Sequence, residues 1–480
     1  MSRWFGHRVP RRFATACVLL ATLEASRPAV AGQSANQWSP RQRIPGIQDD
    51  AFTPYLVADR NRTVHAFHSQ PARSNVSQLA IVYSRWTLHD GWTMPVDIVL
   101  PPLRAQASIL GAWLDGQGVM HIVFFSGDDA VANLYYSRAW ASNADTPQAW
   151  SAPELIGEAA ITPRTAALAG DDRGNLTVVY SGNRQGVGLY TVHSHDSGVT
   201  WSEPVLFFRV DRGDLGAWAG DDPRPWNPQV TQDHAGRLHL TWVVVGRDGN
   251  GKAIYYASTS PGSKEWTAPL LLASVKPDQY EVDWPSIAAY HDDLLLIYDD
   301  YTPPKRMMRA SRDDGRTWLD PVEVLAPTLG EYGNATFAVD GGDTLHVVFA
   351  DRARGLNLWH SAWEGGAWRE PEPIAPATEA ATYRSGPQEF HPSQPRAVVS
   401  QGNVLLAVWR TDPGRPHNGT WSAYKLLDVP ELPIEPLAPA PSPVPSTSLL
   451  LSALCAALLI ATLATLKYRR PRQANEGRGG

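Results

Sequence analysis

Cysteine is almost absent: the 480 residues contain 2, Cys17 and Cys455, and each lies inside an apolar terminal run. The long stretch between them has no thiol, which excludes disulfides, thiolate nucleophiles and cysteine-ligated metal centres there. Long apolar runs are equally scarce and confined to the two ends. The sequence has no Gly-rich phosphate loop, no H-E-x-x-H pair and no G-x-S-x-G elbow. Excess positive charge is missing as well. Setting aside residues 1–31 and 467–480 leaves 32 Lys and Arg against 46 Asp and Glu, a net of −14. A nucleic-acid partner is thereby excluded, because binding phosphates requires a basic surface.

The two ends carry addressing signals. Arg3, Arg8, Arg11 and Arg12 precede the apolar run Phe13–Leu23 and the small-residue site Ala29-Val30-Ala31, the layout of a secretory signal peptide over residues 1–31. Residues 448–466 read SLLLSALCAALLIATLATL, followed at once by Lys467, Arg469, Arg470 and Arg472. That run is long enough to cross a bilayer as a helix, with the basic tail 467–480 on the cytoplasmic side. A sorting signal that is cut and replaced by another anchor is the alternative. Between ring and helix, residues 429–447 are rich in Pro and Ala and are expected to form a semi-rigid stalk. The chain is thus expected to be exported and anchored in the cell membrane by its tail, with the body outside.

What is abundant is aromatic and periodic. Of the 19 Trp, all but Trp4 lie between about residues 38 and 428, where a two-part unit recurs every 50–65 residues or so, a period that indicates propeller blades. The first half is an apolar strand, an Asp/Gly turn and an alternating strand, as in ASILGAWLDGQGVMHIVFF from Ala107 and NPQVTQDHAGRLHLTWVVV from Asn227. The second is an aromatic strand, a tight turn and a Trp shortly before Pro, as in YTVHSHDSGVTWSEPVLFF. Such hairpin signals occur seven times, with six as the alternative blade count. The last copy lacks its outer strand, and WSPRQRIPGI from Trp38 matches the missing piece. An all-β propeller of seven four-stranded blades follows over residues 32–428, closed by the N-terminal strand in the last blade, which leaves no open sheet edge around the ring.

Two turns, SHDSGVTW (Ser194, Asp196, Gly198, Trp201) and SRDDGRTW (Ser311, Asp313, Gly315, Trp318), resemble the Asp box, or BNR repeat, of the sialidase-like (neuraminidase) propellers. The resemblance implies that these eight residues are structural and lie opposite the active face. It further implies an exo-sialidase type of glycoside hydrolysis on terminal acidic sugars, with three arginines gripping the substrate carboxylate and a Tyr nucleophile activated by Glu, with an Asp as acid/base. Arg43-Ile44-Pro45 is similar to that family's first arginine motif, but alignment on Trp38 puts Arg43 in an outer strand. In the loops that enter the inner strands and those that link the second and third strands, the candidate clamp is Arg164, Arg224 and Arg354, the last in a linking loop, and the candidate catalytic residues are Tyr332, Glu281 and Asp283. Trp226 and Trp284 are candidate stacking platforms for substrate. The competing reading is a non-catalytic propeller that binds glycan or protein through the same face.

No cofactor is implied. Adjacent acidic pairs such as Asp221-Asp222 and Asp299-Asp300 could hold Ca²⁺, though none has a recognisable calcium spacing. His121, His239 and His346 read as packed or turn-facing. The expected partners are a carbohydrate or glycoconjugate and, through the tail helix, a membrane.

Overall fold

The computed structural model describes residues 36–440, apart from 50, 72–78, 103–105, 128–131, 159, 162–164, 211–221, 261–262, 277–280, 328–332, 352–356, 375–391 and 412–418. The expected signal peptide and the apolar run 448–466 lie outside the described residues. Among the described residues no helix is long and apolar enough to cross a membrane.

The chain forms seven antiparallel blades, and in all but the last the strands follow sequence order from the ring axis outward. The innermost strands are Tyr55–Ala58, Ala107–Leu114, Ala166–Gly170, Arg224–Gln232, Val282–Tyr290, Thr336–Val339 and Pro392–Ser400. The second strands, such as Val119–Gly127 and Leu238–Val245, are buried along their whole length. They read as continuous apolar runs because both sheet faces pack against neighbouring blades. The ring closes as expected: Gln42–Arg43 adds the fourth strand of blade 7, with Gln42 opposite Ser422 and Arg43 opposite Trp421. Arg43 sits at the rim and is ion-paired with Asp49.

The apolar interior consists of seven separate wedges rather than one core, and each wedge joins two neighbouring blades. The wedge between blades 7 and 1 includes Ile44, Ile47 and Ala51 from the closing segment, packed with Val64 and Val404. Alternation along Arg43-Ile44 therefore turns the arginine to solvent and the isoleucine inward.

One expectation is corrected here. The described part of the expected stalk, residues 429–440, runs along the ring instead of away from it. Leu432 N–H donates to the Gln401 carbonyl at 2.8 Å and Glu435 N–H to the Arg60 carbonyl at 3.0 Å. Arg60 and Arg62 also pair with Glu435 and Glu431.

Candidate ligand site

At the end of the ring where the innermost strands begin, side chains from all seven blades enclose a central cavity of about 550 Å³. Three strands enter it through the same kink. Asn227, Trp284 and Gln394 have φ of 54°, 54° and 49°, and each precedes a proline, Pro228, Pro285 or Pro395. In each case the ladder slips across that dipeptide, between Trp226 and Gln229, Asp283 and Ser286, and Ser393 and Arg396. A non-glycine residue held in the left-handed region costs roughly 1–3 kcal/mol, and such strain collects at functional sites. Bulges of this kind re-aim side chains.

The kinks bring Trp226 and Trp284 together as one wall, ring centroids 5.0 Å apart and planes at 68°. Asp283 Oδ1 accepts the Trp284 N–H at 2.6 Å, a local bond that helps hold the bent backbone. On the blade 7 and blade 1 side of the cavity, the guanidinium carbon of Arg396 lies 3.4 Å from the ring centroid of Tyr55. This stacking pins a cation, and among the described residues no carboxylate pairs with it and no Asp or Glu lines the cavity. The remaining polar lining is carboxamide and hydroxyl. Two of these atoms, Thr53 Oγ1 and Asn227 Nδ2, have no hydrogen-bond partner among the described residues, although the residues are only 3% and 9% exposed. Asn227 Oδ1 accepts from Gln229 Nε2 at 2.9 Å, which leaves the amide nitrogen as the unmet donor. Buried polar atoms without partners are rare enough to require a reason.

Of the residues singled out from sequence, Trp226 and Trp284 form this wall. Arg164, Arg354 and Tyr332 lie outside the described residues. Arg224 does not line the cavity and is engaged by Asp222, its Nε 3.1 Å from Oδ2. Glu281 accepts the Gly251 N–H at 3.3 Å. Asp283, 2% exposed, is behind the wall; burial, reinforced by the neighbouring Glu281 and Asp299 charges, raises its carboxyl well above the ordinary range. Asp299 is committed elsewhere. With Asp351 it brackets the buried Arg306 at 3.0 and 3.3 Å, tying blade 5 to blade 6. Arg396 was not among the sequence candidates. Its signal was slight, one arginine after a proline at the head of an apolar strand.

The opposite face is built from repeated polar columns. In the two S-x-D-x-G-x-T-W turns, Asp196 and Asp313 each accept a backbone N–H from Thr200 or Thr317, at 2.9 and 2.8 Å, and the same threonine's hydroxyl at 2.6 Å. Ser194 and Ser311 each accept the glycine N–H at 2.9 Å. Each turn covers a column in the preceding blade: Asp115–His121–Tyr136 under the first and Asp233–His239–Tyr256 under the second, with His–Tyr contacts of 2.7 and 2.8 Å. Trp201 and Trp318 meet those tyrosines edge to face. Asp59–His65–Tyr83 repeats the column in blade 1, and in blade 6 His360 replaces the tyrosine beside His346. Burial holds His121, His239 and His346 below the usual imidazole range. Among the described residues no group of three or more His, Cys, Asp or Glu is placed to hold a metal ion.

No family model matches the chain, and no curated protein matches it. Solved structures do share its architecture. A PL25 ulvan lyase, described as a polysaccharide lyase, superposes with a TM-score of 0.52 at 12% identity, over 82% of this chain and 97% of that one. A second structure of that lyase gives 0.50 at 12% identity, over 81% and 97%. These likenesses show the propeller fold alone. The NanB sialidase of Streptococcus pneumoniae, at 0.43 and 11% identity over 82% and 71%, is too distant to carry an argument.

Proposed function

We propose that this protein is a carbohydrate-recognising propeller that takes an acidic sugar in its central cavity. The observation that carries the reading is Arg396, a guanidinium laid on Tyr55 in a cavity without a described counter-charge, facing two indoles. A planar guanidinium suits a carboxylate or sulfate through paired N–H bonds. Indole faces suit the C–H face of a pyranose. Thr53 and Asn227 supply unmet polar atoms for its hydroxyls.

Binding is better supported than sialidase-type hydrolysis. Glycoside hydrolysis needs acid and nucleophile groups on the scissile bond, and the two described acidic candidates, Glu281 and Asp283, are absent from the cavity lining. We read the two serine–aspartate turns as Asp boxes with a structural role. Export through residues 1–31 and anchoring through 448–466 complete the reading, making this an extracytoplasmic, membrane-held receptor for glycans. Protease added to intact cells should remove the ring and leave the tail helix behind.

The deciding experiment is calorimetric titration of the purified chain with sialyllactose, a glucuronic acid glycoside and neutral lactose. At least one acidic sugar should bind about tenfold or more tighter than lactose, since a hydrogen bond to a charged group contributes roughly 1.5–3 kcal/mol. Arg396→Gln should erase that preference, and Trp284→Ala should weaken every ligand. Equal affinity for acidic and neutral sugars would refute the acidic reading. Turnover of a fluorogenic sialoside would replace binding by hydrolysis.

A further inference from the structure

The segment that follows the last strand has a period that matches the ring. Prolines stand at 430, 433, 436 and 439, every third residue, which is the repeat of a polyproline II helix rising about 3.1 Å per residue. The residue before each proline meets a different blade, at the turn between its first and second strands. Val429 lies over Gly342 of blade 6, where a Cβ would stand 2.6 Å from its Cγ1. Leu432 lies over Gly402 of blade 7, again 2.6 Å from a Cβ placed there. Glu435 pairs with Arg60 of blade 1 at 2.8 Å. Ala438 reaches Gly118 of blade 2, 3.6 Å from a Cβ there. Each triplet thus advances the chain by one blade.

The backbone repeats the same step. Leu432 and Glu435 donate their N–H groups to the carbonyls of Gln401 and Arg60, one residue in each of two successive turns. Proline at the second place of each triplet has no N–H to satisfy. A triplet spans about 9 Å, close to the roughly 10 Å at which sheets pack face to face. Leu437 adds an apolar contact to the wedge between blades 1 and 2.

We propose that the first turns of blades 6, 7, 1 and 2 form a track that reads a polyproline II chain in steps of three, with residues 429–440 as its built-in ligand. The segment passes over the seam between blades 7 and 1, where the N-terminal strand closes the ring, and so acts as a clasp on that seam. The ligand class is defined by the contacts: proline at every third position, each preceded by an apolar, small or acidic residue.

The test uses the full chain, with backbone hydrogen exchange at residues 432 and 435 and thermal unfolding as readouts. In the unaltered chain both amides should exchange at least about tenfold more slowly than in the free peptide, as docked amides do. Inserting Ala-Pro-Ala after Ile434 keeps the step of three, so the inserted triplet should take the blade 1 turn with protection and melting temperature retained. Inserting a single Ala at the same place should abolish protection beyond it and lower the melting temperature. Free-peptide exchange at both amides in the unaltered chain would overturn the docking. Equal protection after one-residue and three-residue insertions would overturn the register.

Discussion

Gly198 offers a way to separate backbone strain from steric conflict. Its φ is 74°, so any side chain there incurs the left-handed penalty of about 1–2 kcal/mol. A Cβ on Gly198 would also lie 1.8 Å from Tyr136 Oη. That tyrosine has little room to retreat: His121 holds its hydroxyl at 2.7 Å and Trp201 packs on its ring at 4.8 Å. Forcing a methyl into such a site adds about 1–3 kcal/mol, so Gly198→Ala should cost about 2–5 kcal/mol in all. Gly91 is the matched control, with φ of 69° and nothing within 4 Å of its Cβ position. Gly91→Ala should therefore cost the conformational part alone. Urea unfolding followed by tryptophan fluorescence measures both variants side by side. Equal destabilisation would show that the tyrosine column yields freely and does not brace the turn.

Two further outcomes follow from burial. His68 is fully buried, neither ring nitrogen has a hydrogen-bond partner among the described residues, and burial pushes its pKa down to about 3. The unfolded chain binds that proton near pH 6.5 while the folded chain refuses it, so stability is full above pH 6.5 and falls continuously toward pH 3. His68→Leu should flatten this slope and stabilise the ring at pH 5, as seen in urea midpoints from pH 4 to 8; an unchanged slope would place the titration elsewhere. Ile44, 1% exposed in the closing wedge, should cost about 2–5 kcal/mol when cut to Ala. Arg43→Ala beside it should stay within about 1 kcal/mol, because exposed ion pairs contribute little, and a similar loss for both would contradict the burial pattern.

The ring was legible in the sequence because its signal is repetition. Seven hairpins and the echo of the blade tryptophan at Trp38, with Pro40 shortly after it, fix blade count and closure, and the alignment on Trp38 already places Arg43 outside. The cavity was legible only in part. Trp226 and Trp284 stand out as aromatics in loops entering the inner strands, but the positive φ at Asn227, Trp284 and Gln394 is imposed by the assembled ring and leaves no mark except the following proline. Arg396 reads as one residue in an apolar strand, since nothing local reveals that Tyr55 from another blade lies beneath it. The carboxy-terminal prolines were visible too. Their composition indicates a spacer, and only the glycines of blades 6, 7 and 2 give the period of three its meaning.

The docked proline segment also gives the molecule a front and a back. It crosses the turns on one face of the ring, while the cavity opens on the other. Under the anchoring proposed for residues 448–466, tension from a membrane would reach the ring at its back. A ring held in this way presents Arg396 and the paired indoles outward, and a load on the tail would bear first on the clasp across the seam.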